Sequence, residues 1–388
     1  MAILPPSGLL VPLLVSLAVT LIATPLVRGL AIRLAIYDRP DAGLKPHERP
    51  VPFLGGLAIY CGWLAALAIA SRQTDIDRPL LWIAVSGTLL LVTGLIDDFR
   101  HLPPKLRLAI QALAAAGLIY GGVGRRAAAP IVGLFDGIGP AWATGEAVCL
   151  VASGLLAAFV LAGAMNAANL IDGMDGLCAG VMAICMAAIA CVGCRVPDEL
   201  IEASPAGGVV FWIAAAVIGA CLGFLFFNYH RASIFMGDSG SLLLGFSVGV
   251  ALLALGDVPN GAGELTWRWM VGAGIAFAFP ILDTAVAMTR RRLHRRPLFV
   301  GDRSHIYDQL NDRGWGVRRT VLICYVIAAA FGVIAVIAVR LPLLLFMAVI
   351  VGLPGIAAIV VRRFGLLKVD DAAQLSGSTS ADDPANRS

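Results

Sequence analysis

The sequence predicts an all-α fold, a polytopic transmembrane helix bundle of about eleven spans, and three observations predict it. The first is composition: of 388 residues, 59% are apolar and 14% charged, where a soluble protein carries about a quarter charged residues. Lipid offers no hydration to a charge, so this deficit is what a bilayer demands. The second is periodic apolarity. Stretches near the roughly 20 residues that cross a bilayer recur at 9–32, 53–71, 79–96, 105–124, 147–166, 177–194, 208–228, 239–256, 268–290, 320–339 and 341–362. The third is the partition of basic residues. With the N-terminus outside, the alternate loops beginning with 33–52 and the C-terminal tail, with Arg28 at the inner end of the first span and Arg362 at the edge of the tail, hold 22 of the 29 Lys and Arg residues, against seven on the other side. Basic residues stay on the cytoplasmic side, so the N-terminus is read as outside and the C-terminus as cytoplasmic, in the plasma (inner) membrane.

One integral membrane domain is expected over 1–368, followed by a disordered cytoplasmic tail over 369–388 rich in Ser, Asp, Ala and Asn. The first apolar run has no basic region before it and no clear cleavage site, so it reads as a retained span. The net charge of +4 is small, and no soluble basic domain exists to carry a nucleic acid. The eight cysteines lie nearly all inside apolar runs. Cys191 and Cys194 form a CxxC without a partner pair or a nearby histidine, and read as small apolar helix residues.

The chemistry collects on the predicted inner side. Asp97 and Asp98 end the third span. Asn166, Asn169, Asp172 and Asp175 follow the fifth, in Asn166-Ala167-Ala168-Asn169-Leu170-Ile171-Asp172-Gly173-Met174-Asp175-Gly176. Asn228 ends the seventh, and Asp238 precedes the eighth in Phe235-Met236-Gly237-Asp238-Ser239-Gly240. Any one of these aspartates reads most simply as an interfacial helix cap. All of them on one side do not, because a carboxylate near hydrocarbon costs a few kcal/mol unless partnered. A divalent cation is the economical common partner, and oxygen-only ligation favours Mg²⁺ or Mn²⁺ over zinc. The three-residue spacing of Asn169, Asp172 and Asp175 would stack them on one face of a helix, with Gly173 and Gly176 leaving room for a ligand.

Two inner loops bring positive charge. In the first, Lys45, His47 and Arg49 are placed to meet a lipid phosphate, within a proline-rich stretch that opposes helix. The second, 290–319, carries Arg290, Arg291, Arg292, Arg295 and Arg296, which a positive-inside anchor explains as well as substrate binding does. Asp302-Arg303-Ser304-His305 is a compact polar segment suited to phosphate. Asp283, about two turns inside the ninth span, is read as orienting the Arg290 region. A carboxylate set, an adjoining cationic loop and a membrane location together fit transfer of a phosphoryl-linked group between a soluble diphosphate and a lipid phosphate.

These segments resemble the polyprenyl-phosphate N-acetylhexosamine-1-phosphate transferase family, also called glycosyltransferase family 4. The resemblance covers roughly residues 30–312. It runs through Arg49-Pro50-Val51-Pro52-Phe53-Leu54-Gly55-Gly56, the Asp97-Asp98 pair, the 166–177 motif, the Asn228…Asp238 loop and Asp302-Arg303-Ser304-His305. It implies a UDP-N-acetylhexosamine donor, undecaprenyl phosphate as acceptor, Mg²⁺ as cofactor, and a lipid-diphosphate sugar that starts cell-envelope polysaccharide synthesis. By motif position, Asp238 looks like a metal ligand with Asn169 its companion. Asp97 and Asp98 look like the acceptor-side pair, Asp172, Asp175 and Asn228 like the nucleotide and sugar side, and His305 like the first residue of the family's histidine motif. The expected catalytic residues are thus Asp97, Asp98, Asp172, Asp175 and His305, with Lys45, Asn228 and Arg303 binding substrate. Here the run is His305-Ile306-Tyr307-Asp308, with a single histidine. That departs from the histidine-rich pattern of the phospho-MurNAc-pentapeptide translocase branch and points to the GlcNAc-1-phosphate branch.

The expected mechanism is direct attack by the lipid phosphate on the donor's β-phosphorus, with Asp98 positioning the acceptor and Asp97 holding the cation or Lys105. The alternative is a covalent phospho-aspartate at Asp98. The same chemistry on another UDP-amino sugar or on UDP-MurNAc-pentapeptide, a secondary transporter, a lipid-binding scaffold and a homodimeric assembly are the readings left open.

Overall fold

The computed structural model describes residues 6–38, 49–74, 76–135, 145–204, 206–259, 267–295 and 305–367. Each of the eleven apolar stretches lies on a helix or a bent helix pair. In chain order the elements are α1 (Pro6–Arg33), β1 (Tyr37–Asp38), β2 (Val51–Pro52), α2 (Gly55–Ser71), α3 (Asp77–Phe99), α4 (Pro104–Gly121) and the short α5 (Ala129–Val132). They continue with α6 (Glu146–Leu170), α7 (Leu177–Gly193), the short α8 (Asp198–Glu202), α9 (Val209–Asn228), α10 (Gly237–Gly256), α11 (Trp267–Ala276) and α12 (Ala278–Leu293). The chain closes with α13 (Ile306–Leu310), α14 (Gly316–Ala338) and α15 (Leu343–Arg363).

Among the described residues, seven helical segments are long and apolar enough to cross a membrane: α1, α3, α6, α9, α10, the segment Ile306–Ala338, and α15. The ninth predicted span is broken, because α11 and α12 meet at a bend of 67° and together make an eighth candidate. α2 and α7 are apolar but only 17 residues each, about 25 Å at ~1.5 Å per residue. They are interior helices with well-buried faces rather than lipid-facing posts. α4 starts with Lys105 and Arg107 in its first turns, which sets its N-terminal end at a polar boundary.

α10 is the axis of the bundle. Every residue from Ser239 to Gly256 is buried, and the helix touches α2, α3, α6, α7, α9 and α11. In lipid, helices associate through close packing at small residues rather than through a hydrophobic drive, and α10 is built for it. A side chain at Gly245 would enter the backbone of Ala164 and Met165 on α6, and one at Gly249 would strike Leu161. The serines of α10 return their hydroxyls to its own backbone, as Ser247 does to the Leu243 carbonyl at 2.8 Å, so no polar group is stranded. α1 packs on α9 by the same logic: Gly219 and Gly223 lie against its backbone, and Ser16 donates to the Ala216 carbonyl at 2.7 Å.

The proline-rich first loop does not float at the interface where it is described. β1 and β2 pair antiparallel, Tyr37 opposite Pro52 and Asp38 opposite Val51. The chain then binds the loop before α10: Phe235 N–H donates to Pro52 O at 2.9 Å, Gly55 N–H to Phe235 O at 2.9 Å and Gly56 N–H to Met236 O at 2.8 Å. Gly56 is forced to be glycine, since a β-carbon there would collide with Gly240. The segment Arg49–Gly56 thus works as a clamp on the N-terminus of α10.

α3 reaches the same place from the other side. A β-carbon on Gly94 would collide with the backbone of Ser239, so α3 and the start of α10 touch main chain to main chain. Replacing Gly94 with Val is expected to push the two apart, at a cost of about 1–3 kcal/mol for an overpacked contact. A thermal-shift measurement in detergent should show a lower Tm, together with loss of activity.

Candidate active site

The polar groups collect at one end of the bundle because four helices begin or end there. α3 delivers Asp97 and Asp98 from its last turn, α6 delivers Asn169, the turn 171–176 carries Asp172 and Asp175, and α10 opens with Asp238. The predicted helical stacking of Asn169, Asp172 and Asp175 does not hold. α6 ends at Leu170 and Gly176 adopts a positive φ of 76°, so both aspartates sit on a tight turn that presents them separately from Asn169. The glycines make this turn: only Gly accepts such a φ cheaply, and a side chain at Gly173 would collide with the Tyr307 hydroxyl.

Asp98 accepts the first N–H groups of α10, from Asp238 at 2.7 Å and from Ser239 at 3.3 Å. A helix N-terminus has orphan donors and a partial positive charge, so a carboxylate from a neighbouring helix is well matched to it. Gly237, at φ 72°, packs directly under this carboxylate, where a β-carbon would crowd Asp98. Asp238, held in this way, accepts Asn169 Nδ2–H at 2.7 Å, and the same amide reaches Ser241 Oγ at 3.0 Å.

Asp97 is buried. Its Oδ1 accepts the Leu102 N–H at 2.7 Å, and its Oδ2 pairs with Arg107 at 3.0 Å. The basic partner is therefore Arg107 on α4, not Lys105, which is exposed. Lys105 and Arg107 lie two apart on the helix and so face different ways. The Arg107 guanidinium also stands 3.9 Å from Asp238.

Asp175 accepts the Ala232 N–H at 3.0 Å and lies 2.9 Å from His230 Nδ1. Asn228 is buried with both ends of its amide engaged: its Oδ1 accepts Gly176 N–H at 3.0 Å and its Nδ2 donates to Ile234 O at 2.9 Å. It staples the acidic turn to the 229–236 loop. Tyr325 on α14 adds a second staple, donating to Gly176 O at 2.6 Å. His305 stands apart from the carboxylates, with Nδ1 2.7 Å from Asp283 Oδ2. Asp283 thus receives the His305 segment rather than serving the Arg290 region alone. Lys45 and Arg303 lie outside the described residues, as does the tail from 368 onward.

Arg107, His230, Tyr307 and Tyr325 were not singled out in the sequence. Arg107 could have been found by asking which basic residue follows the Asp97-Asp98 pair by a span-entry distance. The other three carry no local signal. Their importance comes from which loop they meet.

The electrostatics at this end of the bundle would favour a positive ligand. Burial pushes the Asp172 carboxyl well above the ordinary carboxylate range, and the neighbouring charges of Asp238, Asp98 and Asp175 add to it. The donor set is all oxygen, which suits a hard divalent cation. Among the described residues no three His, Cys, Asp or Glu side chains gather as a ready-made metal cage. That is compatible with Mg²⁺, which commonly takes one or two carboxylates and completes its shell with water and substrate phosphate.

The family model for glycosyl transferase family 4 matches residues 80–256, a range that holds every element of this cluster. A probable undecaprenyl-phosphate N-acetylglucosaminyl 1-phosphate transferase of Bacillus subtilis is 32% identical over 329 residues, covering 85% of this chain and 84% of its own. The chain belongs to glycosyl transferase family 4. Other members similar to it include a decaprenyl-phosphate N-acetylglucosaminephosphotransferase of Mycolicibacterium smegmatis, 34% identical over 79% of this chain and 76% of its own. The undecaprenyl-phosphate alpha-N-acetylglucosaminyl 1-phosphate transferase of Escherichia coli K12 is 27% identical, over 80% and 78%. As a glycosyl transferase family 4 protein, the chain is a polytopic membrane enzyme, and the range matched by the family model carries the five aspartates at the acidic end of the bundle.

The raised Asp172 carboxyl, caused first by burial and then by its charged neighbours, has a measurable consequence. A carboxyl whose folded-state pKa is raised binds more protons folded than unfolded, so stability falls as pH rises through the interval between the two values. In cation-free buffer, Asp172→Asn is expected to raise Tm near neutral pH and to shrink the stability gained by acidification. A Tm series against pH in EDTA, wild type beside variant, checks it; equal slopes would mean that Asp172 is not under charge stress.

Proposed function

We propose that this enzyme transfers N-acetylglucosamine 1-phosphate from UDP-N-acetylglucosamine to undecaprenyl phosphate, releasing UMP, at the cytoplasmic face of the plasma membrane. The observation that carries the reading is the convergence of Asp97, Asp98, Asn169, Asp172 and Asp238 at one end of a membrane bundle, in a chain whose relatives bear this activity in their names. The lipid substrate dictates a membrane-embedded site. The diphosphate donor dictates a polar, cation-compatible one.

A divalent cation, Mg²⁺ in the first instance, would be held by Asp238 with Asn169 and would neutralise the donor diphosphate and the departing nucleotide phosphate. The rest falls to the chain's own residues. Asp98 holds the α10 N-terminus, and so fixes where Asp238 stands. Arg107 ties Asp97 and reaches Asp238, offering the guanidinium nearest to the incoming phosphate. Asp172 and Asp175, on their glycine turn, face the nucleotide and sugar side, and Lys45 and Arg303 are assigned to the substrate phosphates.

In the reaction, an oxygen of the lipid phosphate forms a bond to the donor's β-phosphorus, and the bond from that phosphorus to the bridging oxygen breaks, leaving the oxygen on UMP. A phosphate monoester has its second pKa near about 6, so at neutral pH the acceptor is already dianionic and needs no strong base. Direct attack is also favoured by the state of Asp98. With its oxygens engaged by two N–H groups, it is a poorer nucleophile than a free carboxylate.

Purified protein with labelled UDP-sugars, undecaprenyl phosphate and Mg²⁺ is expected to yield lipid-linked GlcNAc and an equal amount of UMP. Without acceptor it should release no UMP. A stoichiometric UMP burst would replace direct attack by a covalent aspartyl intermediate, and no product from any UDP-sugar would overturn the reaction itself.

Asp238→Asn is expected to abolish turnover while leaving Tm near that of wild type, because a neutral amide is a poorer ligand for Mg²⁺. Asn169→Ala should raise the Mg²⁺ concentration needed for half-maximal rate. Steady-state rates across a Mg²⁺ titration measure both, and an unchanged metal dependence in each variant would remove the pair from the coordination shell.

A further inference from the structure

Asp283 is wholly buried, at 0% exposure, in the middle of α12. A carboxylate at such a place costs several kcal/mol unless its lone pairs are engaged, and here both oxygens are. Oδ2 lies 2.7 Å from Nδ1 of His305, and Oδ1 accepts the Ile306 N–H at 2.7 Å. His305 is itself 4% exposed. Its ring stacks on Tyr307, centroids 5.3 Å apart and planes 13° apart. The Tyr307 hydroxyl donates to Leu170 O at 3.0 Å, the last residue of α6 before the acidic turn, and its ring is the reason Gly173 has no side chain.

We infer that Asp283 is a positioning residue for the transfer reaction, holding His305 in one tautomer and one orientation so that Nε2 is the nitrogen presented for chemistry. This rests on the proposed reaction and on His305 belonging to its machinery. A carboxylate can only accept, so the nitrogen facing it carries the proton, and the other nitrogen is left as the working atom. The second oxygen, on the Ile306 N–H, stops the carboxylate from rotating. The stacked tyrosine stops the ring from rotating, and the Tyr307–Leu170 bond ties that tyrosine to the end of α6, beside the turn that carries Asp172 and Asp175. Three constraints on one ring exceed what joining α12 to α13 requires. A helix junction needs only the backbone bond.

The near-isosteric change Asp283→Asn breaks this arrangement. An amide offers one acceptor oxygen, so it either gives up the Ile306 N–H or turns its NH₂ toward Nδ1 and forces the proton onto Nε2. Partners that orient a functional histidine typically matter by about 10- to 100-fold, and a loss in that range is expected here in kcat. Asp283→Glu keeps both acceptors one methylene out of place and is expected to fall between wild type and Asn.

The deciding experiment is a double-mutant cycle on the purified enzyme, with GlcNAc-lipid formation and Tm measured for wild type, Asp283→Asn, Asp283→Glu, His305→Gln and Asp283→Asn/His305→Gln. Positioning predicts that Asp283→Asn costs nothing further once His305 is Gln, with Tm near that of wild type. An equal loss in both backgrounds, or a loss of kcat that merely follows a lowered Tm through both Asp283 variants, would overturn it. A fully active His305→Gln would overturn it as well. Absence of product from the wild-type protein would instead sink the reaction on which the inference rests.

Discussion

The interaction on which the rest of the site depends is the capture of the α10 N-terminus by the Asp98 carboxylate. α10 is buried from Ser239 to Gly256, and the N–H groups of its first turn have no preceding helical turn to accept them. Left unpaired, each would cost the desolvation of a buried donor, about 1–3 kcal/mol. Asp98, arriving from α3, satisfies two of them, and the approach is close enough to require Gly94 and Gly237. Once that contact is made, Asp238 has one place to stand, and Asn169 and Arg107 can find it, with Ser241 accepting from the same Asn169 amide. The clamp from Phe53 to Gly56 secures the same helix start from the opposite side.

A constraint of charge runs through the same group. Carboxylates at the edge of hydrocarbon are costly singly and costlier together, which is the origin of the raised Asp172 carboxyl. The fold relieves part of this with Arg107 on Asp97, and leaves Asp98, Asp172 and Asp238 close to one another. A structure built for stability alone would have no use for that arrangement. The arrangement suits the proposed cation and diphosphate, which would complete the charge balance. The rigid supports lie around the acidic turn rather than in it: Asn228, Tyr325 and Tyr307 each hold its backbone.

Much of this was legible in the sequence, and the parts that were not share a cause. The helices could be read because a membrane span must be apolar along its length, and the acidic clusters because charge is rare enough in such a chain to stand out. The turn at 171–176 was misread as helix because Asn169, Asp172 and Asp175 have helical spacing, while the deciding signal is Gly173 and Gly176 meeting Tyr307 and the 229–236 loop. Arg107 was passed over for Lys105 because the two are equally basic and nearly adjacent. Only the direction of α4 chooses between them. The bonds from Asp283 to His305 and Ile306 were not foreseen, because they join residues more than twenty positions apart in the chain.

The sequence by itself determined that this chain is a helical membrane protein, where its helices run, and that five carboxylates and their amide companions emerge at helix ends. It could do so because bilayer burial and charge cost act on each residue locally, through composition and spacing. Only the tertiary structure decided which of those groups touch. Asp98 meets the start of α10, Asp97 meets Arg107, Asn228 joins the acidic turn to a loop, and Asp283 meets His305. Such pairings depend on how closely one helix approaches another at a glycine and in which direction its last turn points. Both are properties of packing between segments far apart in the chain, which no local pattern records.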